Sequence, residues 1–207
     1  MDKWQLDYFF RETTNLNTDY PSSGDKSTAL PVGTDGGDFN QSQDLSLLNG
    51  PATATNLTYS SLAQTAQQSA MIARFISPRL RAQTINANTW TVVFTADESN
   101  TAANAFLALS AYIWRPSTSS VVGFMYDSAT TLGVEFANTL QTVTFSGSAV
   151  TCNAGDILVA EAWNVATQAM STSYTITFTT SASGTQRYIE TPQDLAFTTN
   201  EQAFIID

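Results

Sequence analysis

From residue 71 to residue 180, apolar side chains recur at every second position in short runs, and turn-forming residues separate those runs. Tyr174, Ile176 and Phe178 alternate with Ser173, Thr175, Thr177 and Thr179, the pattern of a strand with one dry face and one wet face. Trp90, Val92 and Phe94 share a face in the same way. In residues 105–115 both phases are largely apolar, with Phe106, Ala108, Ser110, Tyr112 and Trp114 against Leu107, Leu109, Ala111 and Ile113. A period of two cannot bury one face of a helix, so these runs specify strands. The expected strands cover 71–76, 81–85, 89–95, 105–115, 120–126, 140–146, 156–163 and 172–180, and a short helical turn over 64–73 is expected to lead into them.

Eight strands without βαβ alternation give an all-β fold, an antiparallel two-sheet sandwich of jelly-roll-like type with an extended N-terminal arm. Periodicity alone does not separate a jelly roll from an immunoglobulin-like sandwich, although the Cys-Trp-Cys signature of the latter is missing. The expected division is an arm over 1–68, the sandwich over 69–186 and an extended tail over 187–207. The arm carries more acids than bases, and the turn-rich stretches Pro21-Ser22-Ser23-Gly24-Asp25 and Gly33-Thr34-Asp35-Gly36-Gly37-Asp38. Aromatic side chains nevertheless punctuate it, and Trp4, Phe9, Phe10 and Phe39 have no periodic neighbours with which to build a local core. They are the expected anchors of an intersubunit arm.

Charge narrows the partners. The net charge is −10, which repels phosphate backbones and anionic lipid, so neither nucleic acid nor membrane is an expected partner. The single basic cluster, Arg74, Arg79 and Arg81, offers interface arginines for carboxylates of a neighbouring subunit; the alternative is that they are solvated or pair with acids of the same domain. Cys152 is the sole cysteine and reads as a small buried hydrophobe. No apolar core of a signal peptide starts the chain and no run of 18 apolar residues occurs, so synthesis and folding in a cytoplasm are expected.

The chain contains no histidine, which removes imidazole bases, Ser-His-Asp and Cys-His nucleophiles and imidazole metal sites. What remains for catalysis is a carboxylate pair of the glycosidase kind, drawn from Asp97, Glu98, Asp127, Glu135, Asp156 and Glu161. Glu161 stands out because it interrupts an apolar strand; the structural alternative is that it faces outward or pairs with an arginine such as Arg115. Trp90, Trp114 and Trp163 could stack on sugar, but each lies in an apolar run where core packing is the default. The expectation is therefore no enzyme, with no catalytic residue, no metal and no cofactor.

Several segments resemble a jelly-roll type found in virion proteins of tailed bacteriophages. They are Phe75-Ile76-Ser77-Pro78-Arg79-Leu80-Arg81-Ala82-Gln83-Thr84-Ile85, Trp90-Thr91, Tyr112-Ile113-Trp114-Arg115-Pro116, Val121-Val122-Gly123, Asp127-Ser128 and Ala154-Gly155-Asp156 ahead of Leu158 and Glu161. The likeness covers about residues 71–195. It implies a non-enzymatic structural component of the virion, a head decoration or cement protein or a neck or tail protein. The partners it implies are other virion subunits: copies of itself, in a homo-oligomer such as a trimer, and major capsid or neck or tail proteins. The particle would be assembled in the host cytoplasm. The alternative from the same fold is a carbohydrate- or host-receptor-binding module of a phage tail or fibre.

Overall fold

The computed structural model describes residues 7–10, 42–46, 56–60, 68–128, 130–133, 135–166, 174–179 and 187–198. In chain order the strands are β1 (Asp7–Phe10), β2 (Ser42–Ser46), β3 (Asn56–Ser60), β4 (Gln68–Ile76), β5 (Gln83–Ile85), β6 (Thr89–Glu98), β7 (Ala105–Arg115), β8 (Ser120–Asp127), β9 (Thr139–Ser146), β10 (Val150–Cys152), β11 (Ile157–Ala166), β12 (Thr175–Thr179) and β13 (Tyr188–Glu190). The only helical structure among the described residues is two single turns of 3-10 helix, Thr101–Ala103 and Pro116–Thr118. The expected helical turn over 64–73 is not found where the chain is described: residues 68–73 belong to β4, paired with β11. Met71 and Ile72 there gain more from sheet burial than a short isolated helix would gain from propensity.

The antiparallel pairs are nested, first strand with last: β3 with β12, β4 with β11, β6 with β9, and β7 with β8. That is one long ribbon folded on itself. Two further pairings, β6 with β12 and β7 with β11, roll the ribbon into two layers, β3-β12-β6-β9 and β4-β11-β7-β8. A ribbon nested and rolled in this way is a jelly roll, so the strand order settles what periodicity leaves open. β1, β2 and β13 bridge the layers along one side, with β1 between β13 and β2 and β2 parallel to β4. Among the described residues that is the one parallel pair, a departure from the purely antiparallel expectation.

The core lies between the layers. Phe75 of β4 meets Phe178 of β12 at 5.9 Å between ring centroids, and Phe178 stacks on Phe94 of β6 at 6.3 Å. Trp90, Phe94, Ile176 and Phe178 are at most 1% exposed, and Val143 and Phe145 are buried with them, as their alternation predicts. β7 and β11 are apolar in both phases because both of their faces are covered. On the outer face lie a cluster of Met71, Ala108, Trp163 and Val165 and another of Ile76, Tyr112, Trp114, Ile157 and Val159, all buried within the single chain.

Two expectations about the chain ends change. The stretch expected to be an extended, intersubunit arm contributes three strands to the chain's own sheet, with Phe9 opposite Tyr188 and Ser46, and Phe10 opposite Leu45. Trp4 and Phe39 lie outside the described residues. The tail does not leave the sandwich at residue 187 either. β13 pairs with β6, and Ile189, Leu195 and Phe197 are buried in the core.

Candidate functional site

Ionisable side chains in an apolar sandwich demand partners, because an unpaired buried charge is costly. Three such groupings mark where this fold departs from simple apolar packing.

The first sits on the outer face of the β4-β11-β7 sheet. Registry places Arg74 directly across from Glu161, and Ser110 across from it on the other side. Arg74 donates from Nε at 3.2 Å and from a terminal nitrogen at 3.1 Å to Glu161 Oε1, and the Tyr112 hydroxyl donates to the same oxygen at 2.7 Å. The side chains of Arg74 and Glu161 are 4% and 0% exposed. Arg74 is thus tied inside its own domain, to an acid of the same sheet. Glu161 is paired with Arg74 and not with Arg115.

Arg115 serves the second grouping. It makes a bidentate pair with Asp156, at 2.9 Å from Nε and 2.7 Å from a terminal nitrogen. Asp156 also accepts the Asn153 N–H at 2.8 Å, closing the turn before β11. Gly155 in that turn has φ +93, a conformation that L side chains resist, and its N–H reaches the Leu80 carbonyl at 2.8 Å. The Ala154-Gly155-Asp156 motif is therefore a knot joining the end of β7, the start of β11 and the loop after β4. Burial alone would raise the Asp156 pKa, but the Arg115 hydrogen bonds, the Asn153 N–H and the Arg115 charge outweigh it and hold the carboxyl below its ordinary value.

Arg79 and Arg81 hold the C-terminal segment. Arg81 Nε donates to the Phe197 carbonyl at 2.7 Å, and the Arg79 carbonyl accepts the Thr198 N–H at 2.8 Å. Gln83 exchanges two hydrogen bonds with the backbone of Ala196, and Gln193 bridges Asn86 N–H and the Thr84 carbonyl. The sequence cluster of three arginines is dispersed by the fold into an outer-face ion pair and two backbone ties.

The third grouping is a pair of acids. Glu98 is 5% exposed, and its Oε2 accepts the Ala105 N–H at 2.8 Å. Glu135, in the β8–β9 connection, stands close enough to act on it. Burial first, then the Glu135 hydrogen bond and the charges of Glu135 and Asp97, push the Glu98 pKa up to about 7. Both residues stand in the carboxylate set named from the sequence, but their pairing was not legible there. The signal was available: continuing the Trp90, Val92, Phe94 alternation through Ala96 puts Glu98 on the core face.

Trp90, Trp114 and Trp163 are 1%, 5% and 0% exposed and offer no stacking surface to a sugar. Cys152 is buried against the carbonyls of Arg81 and Gln83, and burial raises its thiol pKa. Comparison with protein families and with curated proteins yields no match.

Proposed function

We propose that this chain is a non-enzymatic structural component of a bacteriophage virion, a head decoration or cement protein or a neck or tail protein, whose work is to bind neighbouring subunits. The observation that carries the reading is where its chemistry goes. Arg74, Glu161, Arg115, Asp156 and Arg187 are each tied to another side chain of the sandwich, as ligatures between strands. Such ligatures suit a part that must hold its shape under load. The net charge of −10 favours protein partners bearing basic groups over nucleic acid or anionic membrane.

A contact surface of matching character lies on β9. Among the described residues this strand pairs only with β6, and its outward positions Leu140, Thr142, Thr144 and Ser146 are exposed. Leu140, at 54%, is the exposed large hydrophobic residue among those described. An edge strand with a neutral polar face and one apolar anchor can add to a neighbour's sheet. The rival reading, a glycan-binding module, would need an aromatic platform other than Trp90, Trp114 and Trp163.

Sedimentation of the purified chain and mass spectrometry of particles from the host that encodes it test the proposal together. The expected outcome is a homo-oligomer that Leu140→Asp dissociates, and the chain recovered in stoichiometric amounts from particles. A monomer absent from particles would overturn it.

A further inference from the structure

We infer that β9 is a self-association edge: two copies of this chain join β9 to β9, antiparallel, across a two-fold axis at Val143, so that the sheet runs on from one subunit into the next. The inference rests on the proposed subunit-binding role and names the partner of that edge as a second copy.

Strand edges differ in how they are protected. Along one side of the sandwich β1, β2 and β13 bridge the layers, and on the other side β8 and β9 end them. β8 contains Gly123 and two register shifts against β7, and its Met125 carbonyl already accepts the Ser148 N–H. β3, the remaining edge among the described residues, is five residues long. β9 has none of these blunting features. It faces β6 over eight consecutive residue pairs without a register shift, and Thr139–Ser146 holds no charged residue, proline or glycine.

The sequence of β9 says which partner fits. A two-fold contact requires a surface complementary to itself. Thr142-Val143-Thr144 reads the same in both directions, so an antiparallel pair centred on Val143 sets Thr142 of each copy opposite Thr144 of the other. Cross-strand threonine pairs stabilise a sheet. The same register lays the exposed Leu140 opposite Ser146, whose small side chain leaves room for it. Charge adds a second argument. Chains at −10 repel one another, and copies meet at lowest cost along a strand that carries no charge.

The test uses full-length chains carrying Thr142→Cys or Thr144→Cys, with the buried Cys152 kept. Oxidised as a mixture, they are expected to form a disulfide-linked dimer, because directly opposite residues lie about 4.5–5.5 Å apart between Cα atoms. Oxidised alone, neither is expected to link, since like cysteines then stand diagonally at about 7–8 Å, beyond disulfide reach. Thr142→Cys mixed with Thr101→Cys, exposed on the turn after β6, reports random collision and is expected to stay monomeric on a non-reducing gel. The wild-type chain is expected to sediment as a dimer that tightens as NaCl rises from about 0.05 M to about 0.5 M, because screening weakens the repulsion of like-charged copies. A mixture that links no better than the collision pair, a variant that links alone as readily as the mixture, or a dimer that salt loosens would overturn the pairing. Chains recovered from particles but giving no mixed disulfide would refute this pairing and leave the virion reading standing; a mixed disulfide in a chain absent from particles would do the reverse.

Discussion

The Arg74–Glu161 pair shows how one residue position can be at once expensive and indispensable. Two charges taken from water recover their desolvation cost only through close contact and further hydrogen bonds, here supplied by Tyr112. Removing one partner strands the other. Arg74→Met is expected to lower stability by about 3–5 kcal/mol, and Arg74→Met with Glu161→Leu to restore most of that loss, because an apolar pair of similar volume suits the surrounding Met71, Trp163 and Val159. Urea denaturation of the three proteins checks it; a double variant no more stable than the single one would contradict the account.

Two carboxyls set opposite limbs of the pH profile. Asp156 is held below its ordinary pKa, so its contribution is present above that value and is lost as pH falls through the folded one. Glu98 is raised to about 7 from 4.5, so folding binds a proton there; that stability is full below 4.5 and is lost as pH rises toward 7. Denaturation midpoints are expected to decline from pH 4.5 to pH 7, and Glu98→Gln to flatten that limb alone. Asp156→Asn is expected to flatten the limb below pH 4 and leave the other. An unchanged limb in either variant would show the wrong group has been assigned.

At the scale of elements, the C-terminal segment is the part most changed by seeing the fold. Its hydrogen bonds to residues 79–86 and its buried Ile189, Leu195 and Phe197 make it a wall of the core. Phe197→Ala is expected to cost about 3–5 kcal/mol, and ending the chain at residue 186 to yield a molten or insoluble product. Near-ultraviolet circular dichroism and solubility report both, and a truncated chain with native dichroism would refute the claim. A cut beyond residue 60 carries a related risk, since it strips β3 from β12 and β2 from β4.

Why some elements were readable and others were not follows from their length and faces. β7 coincides with its predicted span, because eleven residues of sustained apolar pattern leave no other state. β1, β2, β3 and β13 are three to five residues long and embedded in polar sequence; their pairing partners, remote in the chain, define them. The site shows the same division. Glu161 stood out as a break in an apolar run, but neither its orientation nor its partner could be read there, since cross-strand register decides between Arg74 and Arg115 and register is a property of the assembled sheet.

At the scale of the whole molecule, the nested ribbon has a cost that no single contact reveals. Its innermost hairpin, β7 with β8, is local, but each pair outside it joins segments progressively farther apart, until β3 waits for β12. Folds dominated by such distant pairings close loops before contacts reward them and reach the native state in milliseconds to seconds, not microseconds. On the ribosome, which adds roughly 5–20 residues each second, Phe75, Trp90 and Phe94 emerge well before Phe178, against which Phe75 and Phe94 pack. For that interval the nascent chain carries an open apolar sheet, so its yield in the cell depends on chaperone capacity and synthesis rate as much as on the stability of the finished jelly roll.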